Sequence, residues 1–325
     1  MIGELFAILA VLTFVGSNVL FRKVEHAASP AYINLFRTAV GTLTFIIVAL
    51  IIGSFFDIFL LSFELWLLLF VSFLFGQVIG DTAYFNAQKE LGTTLALALS
   101  MTFPLFTFIL SLIFLNRPFE LNMILSLVLI GAGITIIGRY KIKAEENSLS
   151  PEDRSHLSLK DQVSKMLSTT SFKAITFGFM ASLGWAVGLV IIDHATNQIN
   201  QILLTEGVSS IIANVIRFPF ALFILTLMVW RENNSKSNSK PPIIQKKTIK
   251  TWSILMGASI IGTSIGAFLY TEAARMAGAN VMSLLASASP LFSFPLTYWI
   301  NKEKISKEGF LGVVLTVIGV VVILL

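Results

Sequence analysis

Ten stretches of the chain are apolar over about the length needed to cross a bilayer: 3–21, 32–53, 65–86, 92–115, 120–138, 173–192, 207–230, 253–273, 279–300 and 307–325. About 20 residues span the ~30 Å hydrocarbon core. Inside that core the backbone has to satisfy its own hydrogen bonds, which directs blocks of this length to helices. The expectation is an all-α polytopic membrane protein with ten transmembrane helices. The composition agrees with it. Only 13% of the 325 residues are charged and 55% are hydrophobic, whereas soluble domains carry about 25% charged residues. Mean hydropathy is +0.84.

Several function classes drop out early. The first block has no basic segment before it and runs on through Arg22 and Lys23, so it does not read as a cleavable signal peptide. There is no cysteine, which removes disulfides and thiolate metal sites. The three histidines, His26, His156 and His194, fall in expected loops or at helix ends and do not converge on a metal or catalytic centre. No cofactor and no metal is expected. The net charge of +5 sits on loop Lys and Arg, which points to topology signals and lipid headgroups and away from nucleic acid. Two connections are polar, 139–172 and 231–251, the second containing RENNSKSNSKPP. Their composition cannot bury a core and reads as loop.

The chain also repeats itself. PLFTF at 104–108 and PLFSF at 290–294 stand 186 positions apart. In that register Gly80, Tyr84, Ala87 and Gly92 meet Gly266, Tyr270, Ala273 and Gly278, and Gly133 meets Gly319. Earlier, NLFR at 34–37 matches NVIR at 214–217 with an offset of 180. EHA at 25–27 matches DHA at 193–195 with an offset of 168, which puts Gly16 on Gly184. Matches in one order, with offsets that change only across loops, describe two copies of a five-helix unit. The first copy is 1–140, a polar loop covers 141–172, and the second copy is 173–325. Five is odd, so the second copy enters the bilayer from the opposite side. Inverted repeats of this kind are a common construction of secondary transporters.

On these pieces the chain resembles the EamA family of the drug/metabolite transporter superfamily. The pieces are VGSN at 15–18, the NxxR of the second span, AYFNA at 83–87, PLFTF and LIGAGI at 129–134. The second copy supplies SLGWA at 182–186, LYTEA at 269–273, PLFSF and LTVIGV at 315–320. The resemblance implies a ten-helix exporter or exchanger whose central cavity is lined by helices one to four of each half, with amino acids, other metabolites or toxic compounds as substrates. The chain departs from the family's Gly-Glu pair after the fourth span. Glu303 fills that position in the second half, but Asn116, Arg117 and Pro118 replace it in the first.

Nineteen Lys and Arg lie on the side of the loops that follow the odd-numbered spans, against Arg117 and Arg275 on the other. That bias places 139–172 and 231–252 in the cytoplasm and both termini outside a plasma membrane. The family resemblance implies the reverse, and both orientations stay open here.

Charged groups at membrane depth are costly and often mark a pathway. Arg37 and Arg217 occupy equivalent positions a few residues inside their spans, each one turn after an asparagine, Asn34 and Asn214. They are candidates for holding an anionic substrate group or gating the cavity, with snorkelling toward headgroups the plainer reading. Asp81, with Gln77 a turn before and Tyr84 a turn after, forms a polar stripe on the third span. Taking a carboxylate out of water favours its neutral form, which makes Asp81 the proton-coupling candidate; a satisfied packing carboxylate is the plainer reading. Asn18, Tyr270 and Trp185 complete the cavity candidates, the aromatics serving equally well as packing. Glu272 and Arg275 read as a local ion pair. Pro104 and Pro290 each lie within a span and are expected to bend it.

The leading reading is a secondary transporter of a small organic solute by alternating access, with protons as the candidate coupling ion and the bilayer as its surroundings. A homodimer is compatible with it. A lipid scramblase or a non-transporting membrane sensor on the same fold is the alternative. An enzyme is not expected, because no paired acids, HExxH, GxSxG or P-loop occurs.

Overall fold

The computed structural model describes residues 1–24, 28–116, 121–147, 169–205, 207–234 and 248–301, with short helical stretches at 311–312, 314–315, 318–319 and 321–322. Over these residues the protein is all-helical. Helix α1 spans Ile2–Arg22, α2 Pro30–Ile51, α3 Phe63–Phe73, α4 Thr82–Ser100, α5 Phe103–Leu115 and α6 Leu121–Asn147. The second half has α7 Thr169–Leu203, α8 Val208–Asn234, α9 Ile249–Ser259, α10 Gly266–Ser287 and α11 Ser289–Asn301. Two π-helical segments, Leu74–Asp81 and Ile260–Ile265, join α3 to α4 and α9 to α10.

Local chemistry accounts for the helix ends. Ser29 caps α2, its Oγ accepting from the Tyr32 N–H at 3.2 Å, and Pro30 takes the first helical position, where a missing N–H costs nothing. Ser62 and Thr248 cap α3 and α9 in the same way. Helix α2 stops at Gly53, whose φ of +77° is open to glycine, and the Ser54 N–H returns to the Ala49 carbonyl at 2.9 Å.

Among the described residues six helical runs are long and apolar enough to cross a membrane: Ile2–Arg22, Pro30–Ile51, Phe63–Glu90, Lys173–Leu203, Val208–Asn234 and Ile249–Ser287. Phe103–Leu115 and Leu121–Gly133 are shorter apolar helices. The last long run contains the expected span 253–273 and the start of the span 279–300, and the two pieces meet at Gly278, where φ is 85° and ψ 162°. The Asp193 carboxylate accepts the Ala279 N–H there at 2.8 Å, satisfying a donor that the second piece leaves free at its start. Helix α6 continues to Asn147, through the beginning of the region read as a polar loop. Its Lys, Ala and Glu there are good helix formers that need no buried face. The remainder of that loop, 148–168, and residues 235–247 of the second lie outside the described residues.

The interior is an apolar core that encloses a set of polar side chains, and the outer surface is apolar as well. Leu43, Ile47 and Leu50 on α2 and Ile109 and Ile113 on α5 are exposed, while Asn34, Arg37, Thr38, Gln77 and Asp81 are buried. An apolar exterior of this kind suits lipid and would be a liability in water. Helix α7 comes close to the backbone of the first π segment. A methyl group on Gly184 would stand 2.6 Å from the Phe75 carbonyl, and one on Gly188 2.7 Å from that of Ser72. Small residues allow such contact between membrane helices. Across the molecule Gly262 and Gly266 of the second π region lie against Ser17 and Thr13 of α1.

Pro104 and Pro290 are not in mid-helix. The break falls just before each, at Met101–Thr102 and at Ala288, and each proline stands in the first turn of the helix that follows. In that position a proline starts a helix; it removes no internal hydrogen bond.

Candidate functional site

A π-helical turn wedges an extra residue into a helix and leaves a carbonyl without its regular partner. In the first π segment Asn34 of α2 supplies that partner, its Nδ2 donating to the Gln77 carbonyl at 2.8 Å and to Thr82 Oγ1 at 2.9 Å. The Gln77 side chain answers, donating from Nε2 to Asn34 Oδ1 at 3.1 Å and to Thr38 Oγ1 at 2.9 Å. The segment is held open by a closed set of amide and hydroxyl bonds, and its end projects Asp81 inward.

Asp81 joins three helices. Its Oδ2 lies 3.4 Å from Arg37 Nη1 of α2, and its Oδ1 accepts from Trp185 Nε1 of α7 at 2.8 Å. The Arg37 contact is an ion pair and not a well-aligned hydrogen bond, since that nitrogen has no hydrogen-bond partner. Arg37 spends Nε on Thr263 Oγ1 of the second π segment at 2.8 Å. Its guanidinium stands over the Phe21 and Phe85 rings at 5.9 and 5.5 Å, and those rings meet edge to face at 5.7 Å. Both charges are buried, so each depends on the other for compensation. The Trp185 ring packs against Phe14, Tyr84 and Phe103 at 5.7, 5.3 and 6.1 Å.

The equivalent residues of the second half are arranged differently. Arg217 Nη1 donates to Asn214 Oδ1 at 3.3 Å and to Thr271 Oγ1 at 3.4 Å, both long. Its guanidinium lies 4.4 Å above the Phe73 ring. Asn214 therefore touches its arginine, whereas Asn34 reaches across to the π segment. Glu272, the nearest acid on α10 in sequence, is engaged by Arg275 and by Ser210, whose Oγ donates to it at 2.6 Å.

A cavity of about 120 Å³ lies between these groups, lined by Phe14, Arg37, Phe73, Gln77, Asp81, Trp185, Leu189, Asn214, Arg217, Ala267, Tyr270, Thr271 and Met282 among others. Of the residues singled out in the sequence, Arg37, Gln77, Asp81, Trp185, Asn214, Arg217 and Tyr270 line it. Asn34 and Tyr84 are buried behind the lining, and Asn18 is buried in α1 with both amide atoms unpartnered and does not reach it. Pro104 follows the lining residue Phe103, and Pro290 follows Ser289. Thr263, Thr271 and Phe73 were missed. Thr263 had a signal, standing 186 positions after Gln77; Phe73 had none.

The family model described as the EamA-like transporter family matches residues 1–139 and 172–325. The chain is similar to an uncharacterized transporter of Archaeoglobus fulgidus, 21% identical over 325 residues that make up 100% of this chain and 99% of that one. A protein of known crystal structure aligns with a TM-score of 0.69 at 14% identity, covering 98% of this chain and 95% of the other. That likeness concerns the fold alone.

Proposed function

The chain belongs to the EamA-like transporter family and is a multi-pass membrane protein, and from that premise we propose that it is a secondary transporter moving a small organic solute, such as an amino acid or other metabolite, by alternating access around the central cavity. Export or exchange across the plasma membrane is the direction we assign, with the basic loops 139–172 and 231–252 in the cytoplasm. We assign it no enzymatic role. The observation that carries this reading is the cavity itself, a space lined from both halves where the two π segments face buried arginines.

Ten helices in two inverted five-helix repeats remain our reading of the architecture, and the contacts support it. The π segments begin 186 positions apart, at Leu74 and Ile260. Each packs on the first helix of the opposite half, Gly76 and Gly80 on α7 and Gly262 and Gly266 on α1. Such reciprocity is what a two-fold axis in the membrane plane would produce, and it supports our reading of a shared site at the midplane. Asp81 is the proposed coupling group, because protonation would remove the negative charge that compensates Arg37 and loosen α2 from the first π segment.

Flux into proteoliposomes tests the function. Gradient-driven, solute-specific exchange of amino acids or related metabolites is the expected result. Lipid movement indifferent to headgroup, without solute flux, would replace transport by scrambling.

A further inference from the structure

We infer that Arg217 anchors an anionic group of the transported solute, so that the cavity takes small organic solutes bearing one anionic group, carboxylates first; this rests on reading the cavity as the transport site. The two arginines match in the repeat register, yet among the described residues only Arg37 has a carboxylate partner. Arg37 has Asp81 at 3.4 Å. The position 186 beyond Asp81 is Ala267, a cavity-lining residue with no charge to offer. Among the described residues no carboxylate pairs with Arg217, and Glu272 is already held by Arg275 and Ser210.

Arg217 is 5% exposed, lines the cavity, and keeps a buried Nε with no hydrogen-bond partner. Its two contacts to Asn214 and Thr271 are long and neutral. A buried cation in this condition is unstable without an anion, and the adjoining space is where an anion can stand. A guanidinium presents a planar fork of donors that fits a carboxylate two bonds at a time. One uncompensated positive charge matches one negative charge, which disfavours a phosphate dianion. Much of the remaining lining is apolar, including Phe14, Leu189 and Met282, so the rest of the solute is largely apolar. With about 120 Å³ available, and a cavity of about 150 Å³ known to admit benzene, that remainder is small.

The test uses the full chain in nanodiscs, with benzoate and butanoate as probes and benzamide and butanamide as their uncharged counterparts. The acids are expected to raise the unfolding temperature and the amides not. Arg217→Gln should weaken the acid response at least tenfold, and Arg217→Lys, which keeps the charge and loses the fork, by less. Ala267→Asp supplies the missing counter-ion, and should fold yet lose the acid response. Equal stabilisation by acids and amides, or an unchanged acid response in folded Ala267→Asp, would overturn the proposal. Acid binding with no uptake of radiolabelled benzoate into proteoliposomes would keep the anchor and overturn transport. Flux of neutral solutes with no acid response would do the opposite.

Discussion

Arg37 and Asp81 face each other at 3.4 Å from different helices, both buried, with Trp185 holding the second carboxylate oxygen. Asp81→Asn keeps an acceptor for the indole and leaves the guanidinium without its counter-charge. Breaking one side of a buried pair costs about 3 kcal/mol, so the variant should unfold at a lower temperature. Arg37→Gln combined with Asp81→Asn should recover part of the loss, since no lone charge remains. A double variant less stable than either single one would deny the coupling.

The same Asp81→Asn variant bears on energy coupling. Proton-driven efflux should be lost while substrate counterflow is retained, because counterflow needs the cavity and not the titrating group. An unchanged dependence of efflux on external pH would remove Asp81 from that role.

Gly16 and Gly184 align in the repeat but meet different surroundings. A methyl group at Gly184 would press on the Phe75 carbonyl at 2.6 Å, while one at Gly16 meets nothing within 4 Å. Gly184→Ala should therefore abolish the monodisperse folded peak in size-exclusion chromatography, because backbone cannot move aside. Gly16→Ala should elute as the unaltered protein.

The joint at Gly278 depends on glycine and on Asp193. Gly278→Ala forces a Cβ into a φ of 85° and should cost about 1 kcal/mol or more. Asp193→Ala frees the Ala279 N–H, and loss of such a cap costs about 1 kcal/mol. Thermal unfolding of the two single variants and of the pair would measure both, and an unshifted transition in Asp193→Ala would show that the cap carries no weight.

Orientation can be read with one thiol, since the chain has no cysteine of its own. Cysteine placed at Ser237, in the polar segment outside the described residues, should react with an impermeant reagent only after cells are opened. Labelling in intact cells would reverse the topology and favour termini on the inside.

Much was written in the sequence. Apolar blocks separated by polar loops prescribe membrane helices, because lipid leaves the backbone no other partner for its hydrogen bonds. The offset of 186 placed Tyr84 with Tyr270 and the two prolines with each other. It also contained the difference between Asp81 and Ala267. Burial of Asp81 was legible as a polar stripe on an apolar helix, whereas for the two arginines the sequence left snorkelling open and the fold buried them. Three things were settled by packing alone. The π segments are invisible to periodicity, since runs this apolar carry too few polar residues to mark the face that a wedged residue turns. The reciprocal contacts set Thr13, not Gly16, in the place that Gly184 holds in the other half, a shift of three residues, or nearly one helical turn. And the partners of Arg37 and Arg217 were decided across helices. An arginine's charge is a property of the residue, but its compensation depends on which carboxylate the fold brings within reach.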